Sequence, residues 1–323
     1  MEAAADPVSV LRRTRHTLDR VGDSGLRLIT AAAAALVVLI IVAIIWKVID
    51  GAWPAVHHFG LGFIWNTEWN PVTGVFGARW LILGTLEISF GAVLIAAPLS
   101  IAIGLFLSEL APPAIRGPIG SLIEMLAAVP SVVVGLWGIL VLGPFMRSDI
   151  EPFLHDYLGW IPIFSGSPSQ NGVLIAIVVL TMMIIPITSS ICRELFSGVP
   201  RDIKEASIGL GATHWEMVRG VVVPHVRGGV VAGVILGLGR ALGEAIAVTQ
   251  VIGNSLRGLG ISLFGPGNSL ASQLATEYQG AGTNLEVSAL FYLALLLLAI
   301  TFVTNFVAQR IVHRFDRAHA GAH

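Results

Sequence analysis

Val173-Leu174-Ile175-Ala176-Ile177-Val178-Val179-Leu180-Thr181-Met182-Met183-Ile184-Ile185-Pro186-Ile187-Thr188-Ser189-Ser190-Ile191 carries no charged side chain from end to end. A bilayer core about 30 Å thick takes about 20 apolar residues in a helix, so this run reads as a membrane span. Five more stretches read the same way: Leu28–Val48, Leu81–Leu107, Ile119–Leu142, Val226–Ile252 and Val287–Ala308. The composition agrees. Hydrophobic residues make up 55% of the 323 and charged residues 12%, and the mean hydropathy is +0.82. A soluble enzyme needs about twice that share of charge to cover its surface. A net charge of −1 lacks the basic surplus of a nucleic-acid binder. One cysteine, Cys192, excludes a disulfide framework or a cysteine metal cluster. The expected class is an all-α integral membrane protein with six transmembrane helices.

Basic residues orient the spans. Arg12, Arg13, Arg15, Arg20, Arg27, Arg116, Arg193, Arg201, Lys204, Arg219, Arg227, Arg310, Arg314 and Arg317 fall on one side, against Lys47, Arg79, Arg147 and Arg257 on the other. Fourteen against four puts both termini in the cytoplasm. The first apolar run exceeds the roughly 7–15 residues of a signal core and is expected to stay as a helix. Trp46, Trp53, Trp65, Trp69, Trp80 and Trp160 gather at the external side, where indole favours the interface. The expected organisation is a cytoplasmic tail over 1–27, a first helix and outer loop over 28–80, a permease-like body over 81–309, and a cytoplasmic tail over 310–323. The tail 1–27 has the charge of an amphipathic segment lying on the anionic inner leaflet. The outer loops, about 49–80, 143–172 and 253–286, are long enough to hold short structure or a docking surface.

The fourth connection, about 193–225, has helix signals of its own. Pro200 and Asp202 open a short amphipathic helix that Gly209 and Gly211 break, and a second helix runs from about Ala212 to Val222 and ends at Pro224. Its spacing carries a family resemblance. Glu205-Ala206-Ser207, three residues, Gly211, nine residues, then Val221-x-Val223-Pro224 resembles the EAA coupling loop of ABC import permeases, with conservative departures at Ser207, Val221 and Val223. Val129-Pro130-Ser131-Val132-Val133-Val134-Gly135-Leu136-Trp137-Gly138 and Leu236-Gly237-Leu238-Gly239-Arg240-Ala241-Leu242-Gly243-Glu244-Ala245 are similar to segments of phosphate permeases, PstC-type more than the sister PstA-type. The resemblance covers roughly residues 80–310. It implies a type I ABC importer permease fold and transport of inorganic phosphate into the cell across the bacterial cytoplasmic membrane. It also implies a second permease subunit (PstA-like), two ATPase subunits (PstB-like) that hold ATP and magnesium, and a phosphate-binding protein (PstS-like). Glu205, Ala206, Gly211 and Pro224 would then form the ATPase-coupling element. The chain's two lysines, Lys47 and Lys204, stand in no phosphate-binding loop motif, so nucleotide hydrolysis is expected elsewhere, and no cofactor is expected on this chain.

Two charges lie inside the fifth span. Arg240 is about 21 Å along it, near the bilayer centre, where an arginine costs about 2.5–3.5 kcal/mol and must face protein or water. On one continuous helix Gly229, Gly233, Gly237, Arg240 and Glu244 share an arc of about 80°. The glycines allow close helix approach. Arg240 either contacts and gates an anion, with Glu244 tuning it, or forms a structural ion pair with Glu244; in the permeases it resembles, these charges are linked to transport. Ser131 is a weaker candidate donor to the anion. Glu124 suits an interfacial or interhelical role, and Glu87 reaches water. Pro98, Pro130 and Pro186 are hinge candidates. His57, His58, His155, His214 and His225 lack ligand spacing, so no metal site is expected. Three rivals stand open: a permease for molybdate, sulfate or an amino acid, an ATP-independent anion transporter, and a membrane scaffold.

Overall fold

The computed structural model describes residues 7–255 and 262–320, with side chains described for 25–255 and 262–310. The amphipathic reading of residues 1–27 falls mainly on side chains outside the described residues, as do Arg257, Arg314 and Arg317. Among the described residues six helices are long and apolar enough to cross a membrane: Gly25–Phe59, Arg79–Leu110, Ser131–Leu158, Val173–Ser197, His214–Gly243 and Asn284–Arg310. Two compact units divide the chain, Met1–Gly51 and Ala52–His323. In the first, apolar side chains from Leu36 to Ile45 are exposed around the helix, as suits a helix solvated by lipid tails.

In the second unit the fourth span is central, and 67% of its most apolar stretch is buried. Its run of Val, Ile, Leu and Met packs against Ile88, Ala92 and Ala96 of the second span and against Ala247, Val248 and Val251. Small residues set the separations. A Cβ at Gly91 would meet Ile177, and one at Gly104 would lie 2.7 Å from the Cβ of Cys192. Bulkier residues would hold these helices apart.

Prolines redraw several boundaries expected from hydropathy. The third span covers Ser131–Leu158, not 119–142, because Pro130 stops the preceding helix, Pro113–Ala127. A residue before proline is pushed out of the helical region. Four wide π-type turns, Phe106–Leu110, Gly138–Leu142, Met146–Ile150 and Val218–Val222, each end two residues before a proline: Pro112, Pro144, Pro152 and Pro224. The wider turn accommodates the missing N–H and the ring that would break a regular helix. Pro224 therefore does not end the second helix of the fourth connection; that helix runs on from His214 through Gly243. The connection shrinks to the residues between Ser197 and His214. Residues 310–320 are helical, continuing the last helix, Asn284–Ala320. Pro98 and Pro186 sit inside unbroken helices.

The loop after the first span folds into an aromatic core. Phe63 stacks on Tyr292 with centroids 4.4 Å apart, and Trp69 meets Phe76 edge-on at 4.8 Å. Trp69 is buried, so it is core and not an interfacial anchor; Trp46, Trp53, Trp65 and Trp160 remain exposed.

Candidate functional site

The glycine stripe faces the fourth span. Gly229 lies on Leu195, Gly233 on Ile191, and Gly237 on Ile184 and Thr188. The two helices run antiparallel with their backbones close. This register carries Arg240 to Met182 and Met183, level with the middle of the fourth span, Val173–Ser197, although Arg240 lies in the last turn of its own helix, which ends at Gly243.

Arg240 is exposed in the chain. It lines a pocket of about 290 Å³ whose other walls are apolar: Leu126, Val129, Val133, Trp137, Met182 and Met183 among them. Among the described residues nothing pairs with its guanidinium. Glu244 is not its partner on a continuous helix. The helix ends at Gly243, Glu244 is extended (φ −73, ψ 116), and a new short helix follows over Ile246–Val251. The Glu244 carboxylate accepts the N–H of Ala247 at 3.3 Å, supplying an acceptor to the first turn of that helix. Gly243-Glu244-Ala245 interrupts the helix, and hydropathy passes straight over such a break. Ser131 begins the third span after Pro130, half-buried, beside the pocket residues Val129 and Val133 but not lining the pocket itself.

The fourth connection builds a second constellation. Helix Arg201–Gly209 presents Glu205 and Ala206 to solvent. It closes at Gly211, whose φ of +91 is open to glycine and strained for side chains with a Cβ. Thr213 then caps the next helix: its hydroxyl accepts the N–H of Glu216, and the Glu216 carboxylate accepts the N–H of Thr213. Thr-x-x-Glu is a capping-box pattern that was readable in the sequence. Leu210 is 91% and Trp215 68% exposed on either side of Gly211. Pro224 is exposed at the start of the regular helix.

Ion pairs tie this side together. The Lys204 ammonium lies 2.6 Å from Glu109, with side-chain exposures of 15% and 7%, and it donates to the carbonyl of Phe196 at 3.3 Å. Arg193 lies 2.6 Å from Glu124 in a more open pair. Glu124 thus has the interhelical role expected of it, although it sits on helix Pro113–Ala127 rather than in the third span. Glu109 had no signal in the sequence, since its partner is 95 residues away.

Six membrane-length helices among the described residues, a central fourth span and an exposed helical connection define a polytopic helical membrane protein. Comparisons with known proteins give the same class. Residues 100–318 match the family described as binding-protein-dependent transport system inner membrane component. The chain belongs to that family. It is 43% identical over 281 residues to the phosphate transport system permease protein PstC of Pasteurella multocida, covering 86% of this chain and 87% of that one. It is 39% identical to the PstC of Mesorhizobium japonicum over the full length of both. The fold resembles that of the inward-facing MetNI methionine ABC transporter (TM-score 0.54, 19% identity, 77% of this chain and 99% of that one). It also resembles a bacterial alginate ABC transporter (0.54, 17%, 86% and 94%). The fold is that of an ABC importer permease.

Proposed function

We propose that this chain is the PstC-type permease subunit of an ATP-driven importer that carries inorganic phosphate into the cell. The observation that carries the reading is Arg240, an arginine with no partner among the described residues, level with the middle of the fourth span on a face the single chain leaves open. Phosphate bears up to two negative charges, and an unaided apolar crossing is prohibitive. A guanidinium keeps its charge when dehydrated and holds phosphate oxygens in a two-pronged hydrogen bond. The apolar walls around Arg240 exclude competing water and strengthen that attraction. Lipid cannot cover an exposed mid-membrane arginine without cost, so a PstA-like second permease subunit closes this face and the path runs between the two. Curated relatives named for phosphate transport support the substrate.

The connection between the fourth and fifth spans faces the cytoplasm, as do both termini. It is the element that docks on the ATPase: Glu205, Ala206 and the Leu210–Trp215 corner around Gly211 fit a groove in a PstB-like partner, while a PstS-like protein delivers phosphate from outside. Magnesium ATP belongs to the ATPase subunits. The test is uptake of labelled phosphate into vesicles. The five-part complex with ATP accumulates phosphate but not sulfate or molybdate, and this chain alone accumulates nothing. Uptake by this polypeptide alone, or sulfate uptake equal to that of phosphate, contradicts the reading.

A further inference from the structure

Helix Arg201–Gly209 is an unusual element to find held in place. It buries no side chain fully, and its apolar residues Ile203 and Ile208 are exposed. Only Lys204 and Ser207, one turn apart on a single face, are partly covered. Hydrophobic packing therefore does not fix this helix to the body. Its tie to the second and fourth spans is the largely covered Lys204–Glu109 pair, backed by the hydrogen bond from Lys204 to the Phe196 carbonyl. The two anchors belong to different spans. Glu109 lies in the wide turn Phe106–Leu110 that ends the second span, and Phe196, fully buried, is next to last in the fourth.

We propose that Lys204 is a positioning residue that transmits movement of helix Arg201–Gly209 to the second and fourth spans together, and through the fourth to the wall of the Arg240 pocket. The proposal rests on the docking role given above to that connection. The second and fourth spans are closely packed, with Gly104 against Cys192 and Gly91 against Ile177, so they respond to a pull at their common end as one body. Met182 and Met183, on the same fourth span, form part of the wall beside Arg240. A displacement applied at Lys204 therefore reaches the pocket without a contact between the docking helix and Arg240. The chemistry suits this role, because a short, largely desolvated ion pair resists separation far more than an exposed one. The ends of the connection are anchored separately by Val199, Met217 and Val218, which are buried in one cluster. They hold the connection to the body; the helix between them lies against the Val218–Val222 turn and reaches the second and fourth spans through Lys204.

The measurement is phosphate imported per ATP hydrolysed by the complete importer in proteoliposomes. Lys204→Gln and Glu109→Gln should each lower that ratio at least fivefold while the ATPase subunits stay bound. Lys204→Arg, which keeps the charge and the reach, should return it to within twofold of the parent. An unchanged ratio in both glutamine variants overturns the proposal. So does loss of the ATPase subunits in proportion to lost uptake with the ratio of the remainder unchanged, since Lys204 would then only build the docking surface. Glu205→Lys separates this proposal from the reading beneath it. If that variant still retains the ATPase subunits, the docking role fails and transmission falls with it. If it releases them while Lys204→Gln leaves the ratio intact, transmission alone fails.

Discussion

The two ends of the bundle are held by different forces. On the basic side, Lys204–Glu109 and Arg193–Glu124 join elements far apart in sequence through charge. On the opposite side the joint that segment 262–277 makes with its neighbours is neutral. Segment 262–277 folds back against the second span, where the Thr85 hydroxyl accepts the N–H of Leu270 at 2.9 Å. The Asn268 amide donates to Gln273 at 2.6 Å, and the Ser272 hydroxyl donates to Asn254 at 2.7 Å. The carbonyl of Asn268 presses on Gly84 where no Cβ would fit. A buried neutral network fitted around a glycine has one low-energy arrangement. The basic side instead ties distant elements by charge around its own buried apolar cluster of Cys192, Phe196, Val199, Met217 and Val218.

This contrast can be broken at either end. Gly84→Val should have the largest effect: the side chain meets a backbone carbonyl that cannot swing aside, costing about 3 kcal/mol, seen as loss of folded protein in detergent. Next comes Thr85→Val, which keeps the shape but leaves the Leu270 N–H without its acceptor. It should cost about 1–2 kcal/mol and lower Tm by several degrees with transport retained. On the basic side, Gly211→Val forces a branched residue to φ +91 at about 1 kcal/mol. Its stability loss should be minor, with weaker ATPase co-purification as the main result. Glu124→Gln should be smallest. That pair is half exposed and contributes less than about 1 kcal/mol, so Tm and uptake should stay near the parent values. If Glu124→Gln were as damaging as Gly84→Val, the contrast between the two ends would be wrong.

Much of this was legible in the sequence. Hydropathy located the second, fourth and sixth spans closely, because a run such as Val173–Ile191 has one physical meaning at that length. The first ran on to Phe59, and the fifth lay about ten residues earlier than expected, at His214–Gly243. The third span slipped by about a dozen residues because Ile119–Val129 is as apolar as the stretch after it, and only Pro130 marks the boundary. The glycine stripe at 229, 233 and 237 predicted its packing face from helical period alone. Glu244 did not follow it, since the break after Gly243 depends on tertiary packing of helix Ile246–Val251 against Gly135 and Gly138. The Lys204–Glu109 pair had no local signal, and Trp69 looked like an interfacial anchor until the loop around it proved to have a core of its own.

Arg240→Gln in the complete complex tests the central claim most directly. The glutamine keeps an amide donor but loses the charge, and no carboxylate among the described residues is stranded by the change, because Glu244 is engaged with the Ala247 N–H. The complex should therefore assemble with its ATPase subunits bound while phosphate uptake falls at least a hundredfold. Glu244→Gln, whose amide oxygen still accepts that N–H, should remain within about tenfold of the parent. Uptake by Arg240→Gln within twofold of the parent, in a complex that assembles normally, would contradict the placing of this arginine on the phosphate path.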